Sequence, residues 1–220
     1  MAVKFEIEVD QYGSVTALAY DAKKRARVTL LLGHGAGADQ MSEFMVRFAE
    51  GLAERGIDVV TFNFLYTEEG RRAPDTKGKL EACYRAATAA ASKRKKGNKL
   101  AIGGKSLGGR IASQVAAGVE GLSGLVFLGY PLHPPGKPDQ LRADHLAKIR
   151  APLLFVQGSR DPFGTPDELR PITKKFKPQA TIYAIEGGDH SFKVPKSSLL
   201  SQEEIYSAAQ DEIARWLRLI

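Results

Sequence analysis

Six short, unbroken apolar runs constrain this 220-residue chain more than any other feature. They lie at residues 28–32, 59–62, 100–102, 125–128, 153–156 and 182–185, and none alternates with charged residues. A strand that is apolar on both sides needs cover on both faces, which is the situation inside a parallel sheet. Between the runs lie stretches of helical character at 41–55, 79–96, 111–117, 167–176 and 203–219. In the first of these, Phe44, Met45, Phe48 and Leu52 recur at helical spacing, and the stretch stops before Gly56. Strands alternating with helices specify an α/β architecture, a mostly parallel twisted sheet with helices on both faces.

The chain opens differently. Val3, Phe5, Ile7 and Val9 alternate with Lys4, Glu6, Glu8 and Asp10, the period-two mark of a half-exposed strand. A Tyr12-Gly13 turn leads into a partner strand at 15–20, so an N-terminal antiparallel pair is expected. No repeat, low-complexity tract or linker divides the sequence, and one domain over 1–220 is the expectation.

Composition narrows the class. With 43% hydrophobic and 26% charged residues the chain matches ordinary globular usage, which excludes wholesale disorder and fibrous structure. A single cysteine, Cys83, excludes an internal disulfide framework and a cysteine-built metal site. No apolar stretch approaches membrane-spanning length and no signal peptide is visible, so a soluble, cytoplasmic protein is expected.

In open α/β sheets the ligand site lies beyond the carboxyl ends of the strands, which makes the loops leaving each run the informative ones. Gly104-Lys105-Ser106-Leu107-Gly108 follows the third run directly and has helix-compatible residues behind it. This is the G-x-S-x-G pattern in its strand–turn–helix context, where a sharp bend presents the serine hydroxyl at the end of the sheet. Glycines on both sides remove the Cβ atoms that would collide in so tight a turn. A phosphate-binding P-loop is excluded, because no G-x-x-x-x-G-K-[ST] is present.

A serine hydroxyl needs a base, and the base needs an orienting group. His190 follows the last run within Gly187-Gly188-Asp189-His190-Ser191-Phe192. Asp161 follows the fifth, within Gln157-Gly158-Ser159-Arg160-Asp161-Pro162. The chain order Ser…Asp…His is that of the α/β-hydrolases and differs from the chymotrypsin and subtilisin orders. The amide of Leu107 at the start of a helix, and that of Ala36 in Gly33-His34-Gly35-Ala36-Gly37, are the expected oxyanion donors. His34 is read as fixing that loop through hydrogen bonds rather than as a second base.

These motifs resemble the α/β-hydrolase superfamily, in its compact branch near the dienelactone hydrolases. The resemblance runs from about Val28 to the C-terminus through His34-Gly35-Ala36-Gly37, the turn at Ser106, the Gly158-Ser159-Arg160-Asp161-Pro162 turn and Gly188-Asp189-His190-Ser191-Phe192. It implies hydrolysis of esters or related acyl compounds by Ser106, His190 and Asp161 without metal or organic cofactor. Dienelactone hydrolases carry cysteine at the position of Ser106, so their particular substrate does not transfer. Residues 129–150 are too few for the helical cap that many relatives insert, which leaves an open site. A neutral imidazole must serve as base, so activity should fall below about pH 6.5.

Other signals are weaker. Lys105, Arg71, Arg72, His34 and Tyr130 stand where they could meet a substrate, with Arg72, Pro74 and Asp75 equally able to form a turn tied by an ion pair. His133 precedes Asp161 and so breaks the expected order. The excess of 32 Lys and Arg over 25 Asp and Glu, a net +7, permits acidic partners. The basic run at 93–96, with Lys99, reads as a solvated helix end, and no RNA- or DNA-binding motif accompanies it. The expected partner is a small-molecule ester. The alternatives are a peptidase or acyltransferase using the same triad, and a catalytically silent scaffold.

Overall fold

The computed structural model describes residues 2–220. Eight strands form one sheet in the order β1-β2-β4-β3-β5-β6-β7-β8. β1 (Val3–Glu8) pairs antiparallel with β2 (Ser14–Tyr20), and β2 antiparallel with β4 (Asp58–Phe62). The remaining strands run parallel: β3 (Val28–Gly33), β5 (Lys99–Lys105), β6 (Leu122–Leu128), β7 (Leu153–Gly158) and β8 (Thr181–Ile185).

The unbroken apolar runs have the cause the sequence suggested. Successive strand residues point to opposite faces, and both faces are covered. Leu31, Ile102, Leu125, Phe127 and Phe155 enter one core with helices α3 (Lys77–Arg94), α4 (Leu107–Val115) and α5 (Pro166–Thr173). Leu30, Leu32, Ala101, Val126, Leu128 and Val156 enter the other with α1 (Glu43–Glu54) and α6 (Gln202–Leu219). Every residue of β3 is buried, whereas β1 at the sheet edge keeps a half-exposed pattern.

Helix boundaries differ from the sequence-based ones chiefly at α4. The periodic stretch starts only at 111, but the helix begins at Leu107, the start expected from the turn at Ser106, because the two glycines that weaken helix propensity there are demanded by close contacts described below. A further one-turn helix, α2 (Leu65–Glu68), has no periodic signature of its own. Residues 129–150 form loops and one short 3₁₀ turn, with no cap over the sheet. Cys83 and Trp216 are buried in α3 and α6. Among the described residues no helix is long and apolar enough to cross a membrane.

The strand order changes direction at β3, which has β4 on one side and β5 on the other. Loops leaving β3 and β5 therefore diverge around a crevice at the carboxyl edge, the place where such sheets bind ligands.

Candidate active site

Ser106 stands between β5 and α4 with φ +49° and ψ −111°, a conformation that non-glycine residues rarely adopt. The neighbouring glycines hold it there. A Cβ on Gly104 would lie 2.2 Å from the Gly33 carbonyl oxygen, and one on Gly108 would lie 2.1 Å from the same atom. The end of β3 is thus pressed against both arms of the turn, which brings the 35–36 loop alongside Ser106.

A chain of hydrogen bonds leads away from the serine. Ser106 Oγ is 2.9 Å from His190 Nε2, and His190 Nδ1 is 2.7 Å from Asp161 Oδ2. A carboxylate can only accept, so Nδ1 carries the ring hydrogen and Nε2 is left to receive the serine proton. Asp161 is buried at 2% exposure, yet its oxygens are satisfied: Oδ1 accepts the Phe163 amide at 2.8 Å and Oδ2 the Gln157 side-chain amide at 2.8 Å. Gln157 also accepts the Tyr130 amide at 2.8 Å and donates to the Gly164 carbonyl at 2.6 Å, joining the loops after β6 and β7.

His190 is restrained from two further sides. Its ring lies against Phe163, with centroids 4.3 Å apart, and its backbone carbonyl accepts from Lys105 Nζ at 2.7 Å. Lys105 is itself buried. Desolvation lowers its pKa to about 8 from an ordinary 10.5, a fall opposed by the charges of Asp161 and Asp189.

A cavity of about 570 Å³ opens at this point. Gly35, Ala36, Phe44, Leu107, Pro131, Phe163 and His190 line it, with Ser106 at its wall. The Leu107 amide is the first of α4 and has no acceptor within the helix, so it is free to donate to a ligand. Ala36, on the loop after β3, lines the same cavity. Among the described residues no group of three His, Cys, Asp or Glu is arranged to hold a metal ion.

Of the residues expected to meet a substrate, Lys105 lines the cavity and the others do not. His34 is fully buried: Nδ1 donates to the Gly35 carbonyl at 2.8 Å, and Nε2 accepts from the Phe64 amide at 3.2 Å. Burial lowers its pKa, which keeps it neutral for that role. Tyr130 is also fully buried, its hydroxyl donating to the Arg142 carbonyl at 2.8 Å, and the neighbouring Pro131 supplies the wall instead. Arg71, not Arg72, forms the ion pair with Asp75, at 2.6 Å, and also contacts Glu69. Arg72 is exposed. His133 is held by the Pro134 carbonyl and by Glu168, at 2.9 and 3.1 Å. Among the cavity residues that escaped the sequence reading are Phe44, Phe163, Arg110 and Arg142. Arg110 could have been found, since it lies four positions after Ser106 and so one helical turn along the same face.

Fold and geometry together define an α/β-hydrolase of the compact type. The chain belongs to the alpha/beta hydrolase family: the model of the family's alpha/beta hydrolase domain matches residues 26–218. Solved structures agree on the fold at low sequence identity. A dienelactone hydrolase from Anabaena variabilis superposes with a TM-score of 0.78 at 19% identity, over 99% of this chain and 97% of that one. A serine hydrolase without a lid from Xanthomonas campestris gives 0.77 at 18%, over 98% and 94%. Est1E from Butyrivibrio proteoclasticus, with ferulic acid bound, gives 0.70 at 16%, over 96% and 98%.

Proposed function

We propose that this protein is a serine hydrolase that cleaves a small carboxylic ester or related acyl compound through an acyl-enzyme intermediate, with the chain acting as one catalytic domain. The observation that carries this reading is the unbroken hydrogen-bonded series Ser106–His190–Asp161 ending at the wall of a cavity. The ferulic acid in Est1E supports a small acyl ligand in a site of this fold.

In the proposed reaction Ser106 Oγ attacks the acyl carbon as its proton passes to His190 Nε2. Asp161 holds the ring in its tautomer and stabilises the imidazolium that forms. The carbonyl oxygen, now negative, accepts from the Ala36 and Leu107 amides. Loss of one such donor typically costs about 2.7–4 kcal/mol of transition-state stabilisation. His190 then gives its proton to the departing alcohol. With no cap over the cavity, water can reach the acyl-enzyme. His190 takes a proton from that water, hydroxide adds to the acyl carbon, and collapse returns the proton to Ser106 as the acid leaves.

Ser106→Ala should reduce hydrolysis of p-nitrophenyl acetate by about 10⁴-fold or more and abolish labelling by a fluorophosphonate. Unchanged turnover in that variant would refute the assignment. A wild-type protein that neither labels nor turns over would be a silent scaffold.

A further inference from the structure

The cavity beside Ser106 holds more positive charge than its acids offset. Lys77, Lys105, Arg110 and Arg142 line it, against one carboxylate, Asp75. Asp75 is already engaged by Arg71 at 2.6 Å and Lys79 at 3.7 Å, and it accepts the Tyr66 amide at 3.0 Å. Lys77 faces Glu81 at 3.6 Å, and Lys105 is committed to the His190 carbonyl. That leaves two guanidinium groups. Neither has an acidic partner within 4.0 Å among the described residues, and Arg110 Nε is buried with no hydrogen-bond partner.

Their placement relative to the serine is fixed by the backbone. The Arg110 amide donates to the Ser106 carbonyl at 3.0 Å, so Arg110 stands one turn along α4, about 6 Å by helical rise. Arg142 is anchored across the cavity: its amide donates to the Leu132 carbonyl at 2.8 Å and its carbonyl accepts from the Tyr130 hydroxyl. Burial and the charge of Arg142 both press Arg110 toward losing its proton, with the partly negative Tyr130 hydroxyl opposing. One turn beyond, the Gln114 side-chain oxygen is also buried without a partner in the same wall. Half-buried like charges placed together are unfavourable unless an anion joins them, and a planar guanidinium fork suits a carboxylate or phosphate.

We propose that Arg110 and Arg142 form a subsite for an anionic group, carboxylate or phosphate, carried by the substrate about one helical turn from its scissile carbonyl. The inference rests on the hydrolase reading and narrows its substrate class to esters that carry an anion on the acyl or the leaving-group side.

The test compares matched esters. The anion is placed on the acyl side in p-nitrophenyl hemiglutarate against p-nitrophenyl valerate. It is placed on the leaving group in 4-acetoxybenzoate against its methyl ester. Wild-type kcat/KM should favour the anionic member of at least one pair by roughly tenfold or more, the range of a hydrogen bond to a charged group. Arg110→Met and Arg142→Met should each remove most of that preference. Lys96→Met, at the far edge of the sheet, should preserve it, which separates a local subsite from the general positive field. Inhibition by glutarate, by inorganic phosphate and by uncharged glutaramide distinguishes the two anion sources. Equal turnover of charged and neutral esters, in a reaction that still needs Ser106, overturns the subsite and leaves the hydrolase reading intact. If no ester is turned over, titration of glutarate into the protein decides: binding weakened by Arg110→Met supports the subsite, and no binding overturns it.

Discussion

The two ends of the sheet carry charge in opposite ways. At the amino end the cations are numerous and mostly exposed to solvent, and the two set deeper, Arg94 and Lys95, have acidic partners. Lys95 lies between Asp21 and Asp58, at 3.3 and 3.5 Å, Arg94 rests over Phe5, and Lys99 donates to the carbonyl of Ile220. Asp58 is capped in turn by the Ala22 amide and the Asn98 side chain. At the carboxyl end the cations are fewer and more deeply set, and Arg110, unlike Arg94 with its Asp21, has no acidic partner among the described residues. Only that end also holds a serine in a strained conformation, between glycines that admit no side chain. The number of charges therefore does not mark a site. Charge left without a partner, beside backbone held against its preference, does.

That contrast can be broken experimentally, and the largest effect should come from the turn. Gly108→Ala would place a methyl group against the Gly33 carbonyl, a backbone atom that cannot step aside. It should lower stability by about 3 kcal/mol and remove ester turnover, read from denaturant midpoints and initial rates. A stable, active variant would show that the contact between β3 and the turn is not needed.

A smaller effect is expected at Lys105. Its ammonium form predominates below about pH 8 and holds the His190 carbonyl, so wild-type activity should decline as pH passes through that value. Lys105→Met should lower kcat by about tenfold, the scale of one charge-assisted hydrogen bond, and lose the alkaline arm of the profile. Stability gives an independent readout. The folded protein releases this proton near pH 8 and the unfolded chain near 10.5, so the unfolded state binds more protons between those values. The contribution of this group to stability should therefore rise with pH across that window in the wild type and stay flat in Lys105→Met. The smallest effect belongs to the amino end: Lys96→Met should shift stability by less than about 0.5 kcal/mol. A larger loss there would show that the basic edge has a structural role of its own.

Much of the fold was legible because burial on both faces leaves a plain trace in sequence: β3 and β7 read as apolar but for Thr29 and Gln157, and β1 as alternating. The meeting of Ser106, His190 and Asp161 was legible because each follows a strand at the same edge. The start of α4 was legible from the turn at Ser106 but not from periodicity, since Gly108 and Gly109 look like helix breakers until the neighbouring Gly33 and Gly104 carbonyls are seen. The residues around the cavity were least legible. Whether an arginine faces a ligand or a carboxylate depends on contacts across long sequence separations. The choice between Arg71 and Arg72 turned on which side chain reaches Asp75, and nothing in the local sequence distinguishes them. Gln157, central to holding Asp161, occupies the end of an otherwise apolar strand and carries no motif.

One amide, that of Gln157, touches the acid, the strand-end residue beside Pro131 and the Gly164 turn at once. Those three segments must shift as a unit. A bulky ligand pushing on Pro131 would strain the same amide that aims the carboxylate, and enlarging the cavity on that side would disturb proton transfer along with fit. The opposite wall, built by Phe44 on α1, reaches His190 through packing alone: its ring lies against Phe192 and under the Lys105 ammonium. Such apolar contacts tolerate a change of side chain better than a shared hydrogen-bonding amide, so selection for new substrates has more room on the Phe44 side than on the Pro131 side.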